Sequence, residues 1–170
     1  MKGIFISIMA VLCLTSCQKG NNERKDDWLS TGSTDERFEK VSRQLRGFDT
    51  AMVETGYRYV ELFWAGQDKN WEYAKYQIEK IELAIKNGLE RRPKRANSAQ
   101  MIFPVIEELK VVIAEHDLPK FKKGFERLTV TCNACHQAEK VSFFKIARPS
   151  HRLSPVSFLG GETRRKKQAK

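Results

Sequence analysis

Apolar residues recur at intervals of three and four through four stretches of this chain, the one-sided stripe of a helix that buries a single face. Phe38, Val41, Leu45, Phe48, Met52, Tyr59 and Leu62 mark the first, and Trp71, Ala74, Ile78, Ile81 and Ile85 the second. Ile102, Val105, Ile106, Leu109, Val112 and Ile113 mark the third, and Leu118, Phe121, Phe125, Leu128, Cys132 and Cys135 the fourth. No stretch sustains the two-residue alternation of a half-buried strand, so the fold class expected is all-α. Residues that stop and start helices lie between the stripes. Gly66 is placed to end the first helix, Asp68 or Asn70 to cap the second, and Asn87-Gly88 to close it. The basic loop Leu89 to Ala96 contains Pro93, Pro104 falls near the start of the third helix, and Asp117 before Leu118-Pro119 reads as an N-cap with proline in the first turn. The short connections favour antiparallel neighbours, so the expectation is an antiparallel four-helix bundle over residues 35–148.

The chain ahead of the stripes carries different information. Lys2 is followed by an apolar run from Ile4 to Leu14 and then by Thr15-Ser16-Cys17, which is too short to span a membrane as a mature helix. A positive start, an apolar middle and a small-residue end make residues 1–16 a signal peptide. Leu14-Thr15-Ser16-Cys17 resembles a bacterial lipobox, in which cleavage leaves the cysteine as a lipid-bearing N-terminus, so lipidation falls on Cys17. An ordinary secretory signal is the alternative. Either reading puts the protein in the cell envelope, facing the periplasm or the outside. Residues 17–34, rich in Asn, Lys, Asp, Ser and Gly, read as a flexible tether, and residues 149–170, with Pro149, Pro155 and Gly160-Gly161, as an irregular basic tail.

The fourth stripe ends on Cys132-Asn133-Ala134-Cys135-His136, a C-x-x-C-H run, which is the attachment pattern of c-type haem. Two thiols three residues apart share one face of a helical turn, where each can bond a haem vinyl group, and His136 beside them can ligate the iron. Zinc and thioredoxin-like thiol chemistry use the same Cys-x-x-Cys spacing. A zinc site needs a second ligand pair, and the other histidines are His116 and His151 with no further cysteine pair near them. A thioredoxin-like centre is expected beside a β-α-β pattern, which is missing. The four cysteines are then all assigned: Cys13 leaves with the signal, Cys17 takes lipid, and Cys132 and Cys135 take one covalently attached haem c.

Four helices with C-x-x-C-H toward the end of the last resemble the class II c-type cytochromes, the cytochrome c prime group, over about residues 35–140. Arg58-Tyr59-Val60-Glu61-Leu62-Phe63-Trp64-Ala65-Gly66-Gln67 with Asn70-Trp71, then Cys-Asn-Ala-Cys-His and Phe144-Lys145-Ile146 before Pro149, also resemble a family of small exported monohaem c lipoproteins. The class II resemblance implies a haem inside the bundle, His136 as proximal ligand, a first-helix residue on the distal side and, often, a dimer built on the first two helices. Low-spin members use a first-helix methionine as sixth ligand, a role that falls here on Met52; a gap-filling core methionine is the alternative. Met101, Tyr59, His116 and His151 are weaker candidates. Gly47 and Gly56 interrupt the first helix and can mark a close approach of backbone to the porphyrin.

The formal net charge is +10, concentrated in Arg91-Arg92-Pro93-Lys94-Arg95 and in Arg164-Arg165-Lys166-Lys167 with Lys170. Export argues against nucleic acid as a partner, and leaves an acidic redox protein, anionic lipid beside the tether, or plain solvation of the basic runs. Val141 to Ile146 is apolar enough to pack over an open end of the bundle and shield a haem edge. No acid, base or nucleophile constellation accompanies the motif, so the expected role is a membrane-tethered single-electron carrier and not an enzyme. The alternatives are a five-coordinate haem protein that binds or senses nitric oxide or carbon monoxide, and a haem subunit of a larger envelope oxidoreductase.

Overall fold

A computed structural model describes residues 27–152. The expected signal peptide (residues 1–16), the expected lipidation site Cys17, the start of the expected tether and the tail beyond Arg152 lie outside the described residues. The chain divides into two compact units, residues 1–44 and 45–170, a division that falls inside the 35–148 domain expected from the sequence.

In the first unit, helix α1 (Thr34–Gln44) begins at a capping box: the Ser33 amide donates to Glu36 Oε2 at 2.6 Å, and the Glu36 amide donates to Ser33 Oγ at 3.2 Å. None of its residues is buried, and Phe38 is 70% exposed. The next helix, α2 (Phe48–Gln67), starts afresh after Arg46, at a left-handed φ of 58°, and Gly47, which is extended. The first helix expected from the stripe is therefore two helices. The step from Leu45 to Phe48 is three residues, so the apolar stripe stays in phase across the break and periodicity alone runs straight through it. Asp49 fixes the restart locally, its carboxylate accepting from the Gly47 amide at 3.1 Å and from the Arg46 guanidinium at 2.6 Å.

The second unit continues with α3 (Trp71–Arg91), a connector and two further helices. In the connector the one-turn helix α4 (Ala96–Ala99) sits between 3-10 turns at Pro93–Arg95 and Gln100–Ile102. Helix α5 spans Phe103–Ala114 and α6 spans Leu118–Ala138. The described residues are helical with no strand. Asn70 caps α3 by accepting from the Tyr73 amide at 3.2 Å, Asp117 caps α6 by accepting from the Lys120 amide at 2.9 Å, and Pro104 and Pro119 occupy first turns.

Two of the expected stops are not stops. Gly66 lies inside α2, where a Cβ would fall 2.6 Å from Phe121 Cδ1 and closer still to Cε1 and Cζ. Gly88 lies inside α3, where a Cβ would fall 2.7 Å from that of Ala51. Both are points where two helices approach too closely for a side chain, and α2 ends instead at Asp68, with Lys69 left-handed at a φ of 58°. Helix α2 packs on α3, α3 on α5, α5 on α6 and α6 on α2, a closed ring of four compatible with a helical bundle. Leu62, Ile78, Ile81, Ile106, Leu109, Phe121 and Leu128 fill its centre, fully buried, each contributing about 1.5–3 kcal/mol of transfer free energy.

Candidate haem site

The C-x-x-C-H residues occupy the last two turns of α6, and their stripe points inward as the spacing requires. Cys132 and Cys135 are half-buried, carry free thiols and pack against the hydrophobic core. Together with His136 they line a cavity of about 30 Å³ whose other walls are Phe48, Met52 and Thr55 from α2, Ile85 from α3, and Ala99 and Ile102 from the connector. Residues separated by eighty positions along the chain thus meet at one place: the thioether of the first-helix candidate and the sulfurs and imidazole of the motif share a single cavity. Met52, Phe48 and Cys132 each also pack against the core.

The electrostatics of the thiols disfavour thiol exchange. Burial pushes the Cys132 thiol up to about 12, with Cys135 adding to the shift. Burial also raises Cys135, against the smaller lowering effects of Ser98 and Arg95. Thiol–disulfide chemistry runs through the thiolate and so through cysteines whose acidity is increased, the opposite of what this apolar site produces. Among the described residues no group of three or more His, Cys, Asp or Glu side chains is arranged to hold a bare metal ion.

His136 is oriented from behind. Its Nδ1 lies 2.5 Å from the carbonyl oxygen of Phe144. A carbonyl can only accept, so Nδ1 carries a proton, and in the neutral ring Nε2 is then the nitrogen with the lone pair that a metal ligand needs. The carbonyl is held there by a strap. Asn133, inside the motif, donates from Nδ2 to the Ile146 carbonyl at 2.9 Å and accepts at Oδ1 from the Ile146 amide at 2.8 Å. Tyr59 donates its hydroxyl to Thr129 Oγ1 at 2.7 Å and lies 3.3 Å from the Ala147 carbonyl. The segment after the motif therefore runs along α6 through its backbone. Of its apolar residues only Ile146 packs against the core; Phe143 and Phe144 are 75% and 62% exposed, contrary to the expectation of an apolar cover.

No family model, no curated protein and no solved structure matches this chain. The site has to be judged on its own chemistry. The donor set fits a c-type haem: two thiols and an imidazole on one helix face, a thioether on another wall, apolar residues between them, and one buried hydroxyl, Thr55 Oγ1, without a partner. The cavity is narrower than the roughly 300 Å³ at which ligand pockets begin, so seating a porphyrin requires side chains of its walls to move apart.

The remaining candidates lie elsewhere. Tyr59 is a core aromatic, 6% exposed, ringed by Phe125 at 4.6 Å, with its hydroxyl on α6. His116 is exposed just past α5 and stacks on Trp71 at 5.5 Å. His151 accepts through its backbone oxygen from Trp64 Nε1 at 3.3 Å. Met101 sits in the Gln100–Ile102 turn and does not line the cavity. Gly56 has nothing within 4 Å of a would-be Cβ, Gly47 is the N-cap of α2, and neither lines the cavity. The sequence reading missed Thr55 and a polar cluster beside Cys135, in which Glu139 accepts from Ser98 Oγ and pairs with Arg95, tying the connector to the end of α6. The only sequence cue to Thr55 was its place three residues after Met52, one turn along the same stripe.

Proposed function

We propose that this chain is a membrane-tethered monohaem c-type cytochrome, an antiparallel four-helix bundle that passes single electrons in the cell envelope. The observation that carries the proposal is the meeting of Met52 with Cys132, Cys135 and His136 around one cavity. A chance C-x-x-C-H would have no reason to face a thioether from another helix. The haem, when bound, supplies one-electron chemistry at its iron.

The chain's residues divide the remaining work. Cys132 and Cys135 hold the group covalently through thioether bonds to its two vinyl groups. His136 presents Nε2, and the Phe144 carbonyl fixes its tautomer and ring orientation. Met52 offers a thioether as sixth ligand, which raises the reduction potential and favours electron transfer over binding of small gases. The apolar walls exclude water and so limit reorganisation on electron transfer. Cys17 carries the lipid that keeps the domain at a membrane, and an acidic protein is the partner that suits the net charge of +10.

The test is an absorption spectrum of the mature protein, ferric and ferrous, with the pyridine assay for covalent haem and Met52→Ala alongside. The expected result is covalent haem and a low-spin spectrum whose sulfur-to-iron band vanishes in the variant. Absence of covalent haem overturns the proposal. A high-spin spectrum that shifts with carbon monoxide in the unsubstituted protein removes Met52 from the iron and turns the function toward gas binding.

A further inference from the structure

Three buried side-chain polar atoms lack a hydrogen-bond partner among the described residues: Thr55 Oγ1, Arg58 Nε and Arg91 Nε. Of these only Thr55 lines the cavity that holds the cysteines, His136 and Met52. The residue is 9% exposed, so water does not serve its hydroxyl. A buried hydroxyl left unpaired is unfavourable, and a helical threonine has an easy remedy in the carbonyl four residues back. Thr129 in α6 takes that remedy, donating to the Phe125 carbonyl at 2.9 Å. Thr55, the same residue type in a more deeply buried helical setting, makes no such bond. Its hydroxyl is turned off its own backbone while it lines a wall that is otherwise Phe48 and Met52, one turn from the thioether.

Resting on the haem reading above, we infer that Thr55 is a positioning residue for the iron's sixth ligand: its hydroxyl donates a hydrogen bond to the acceptor atom on that ligand. The acceptor is either the Met52 sulfur or an exogenous diatomic molecule. Donation to the sulfur withdraws electron density from the iron–thioether bond and favours the ferrous state. Donation to a bound diatomic deepens back-donation into it and lowers its stretching frequency. Either way the hydroxyl acts through the ligand and not on the iron itself.

Thr55→Val keeps shape and removes the donor, and Thr55→Ser restores the donor without the methyl group. Covalent haem is measured first by the pyridine assay. Its absence from the unsubstituted protein defeats the haem reading; equal loading in all three proteins isolates the inference. If the sulfur is the acceptor, Thr55→Val shifts the reduction equilibrium about threefold toward ferric, from the loss of one modest hydrogen bond, and Thr55→Ser brings it back. If a diatomic is the acceptor, the stretch of carbon monoxide bound to the ferrous protein rises in Thr55→Val and returns in Thr55→Ser, with the reduction equilibrium unmoved. A second readout needs no haem. In chain prepared without it, Thr55→Val removes an unpaired polar group and raises Tm, whereas in the loaded protein that gain disappears. An unchanged reduction equilibrium together with an unchanged stretch, or the same rise in Tm in both forms, overturns the inference.

Discussion

Replacing Gly66 by alanine tests the packing of α2 on α6 without reference to any cofactor. The new Cβ would fall inside the ring of Phe121, 2.6 Å from Cδ1 and nearer to Cε1 and Cζ. Phe121 is wholly buried, with the Trp71 and Phe125 rings 6.0 Å away on either side, so it has nowhere to retreat. Overpacking of this kind destabilises by about 1–3 kcal/mol, and three overlapping ring atoms place it at the upper end. Alanine recovers up to about 1 kcal/mol of helix propensity, leaving a net loss of about 2 kcal/mol. For a domain of this size that lowers Tm by about 10 °C. Gly56 supplies the control with the opposite sign. It lies in the same helix with nothing within 4 Å of its would-be Cβ, so Gly56→Ala gains about 0.5–1 kcal/mol. Thermal melts of the two variants and the original, prepared identically and followed by circular dichroism, give the comparison. A Gly66→Ala protein as stable as the original, or a Gly56→Ala protein that falls with it, refutes this placement of α2 against α6.

Three other perturbations probe separate parts of the molecule. Asn133→Ala removes both bonds to the Ile146 backbone and lowers stability by about 2 kcal/mol, and limited proteolysis should then cut within residues 141–147 sooner than in the original. Glu82 joins α3 to α5 through Lys110, and hydrogen bonds from Lys110 and then Lys86 hold its carboxyl below the ordinary value of 4.5. Its contribution is therefore complete above about pH 4.5 and is lost as the pH falls through the lowered folded-state value. Urea melts of Glu82→Gln should match the original under strong acid and fall short of it by about 1 kcal/mol near neutrality. In chain prepared without haem, a thiol reagent at pH 8 should label Cys135 well before Cys132, whose acidity burial has suppressed furthest; equal rates would contradict the burial of Cys132.

The long helices were legible because they carry their apolar residues on one face. The inward turn of Cys132 and Cys135 followed from the same periodicity, and so did the place of Met52 on the stripe that reaches their cavity. The break at Arg46 and Gly47 was not legible, since Leu45 and Phe48 stay in phase across it and a left-handed arginine has no compositional mark. Gly66 and Gly88 misled for a definite reason. A glycine that ends a helix and one that lets two helices touch look the same in one dimension, and only the partner, Phe121 or Ala51, tells them apart. Thr55 was invisible for a related reason: a missing hydrogen bond is a property of the fold. The strap over residues 141–147 is held through backbone carbonyls and amides, groups every residue carries, so its apolar side chains suggested burial where the structure leaves Phe143 and Phe144 exposed.

The strap also changes how the C-x-x-C-H motif should be read. In C-x-x-C-H the two middle positions are written as free to vary, yet here the first of them is the clasp for a segment thirteen residues downstream that steadies the histidine. Leucine or lysine at position 133 would leave the five-letter pattern intact and release the carbonyl behind His136. Chains that share this arrangement should therefore be sought by a longer signature, an amide side chain after the first cysteine together with a returning irregular segment after the histidine. The vocabulary of the motif is five residues; its grammar extends to Ala147.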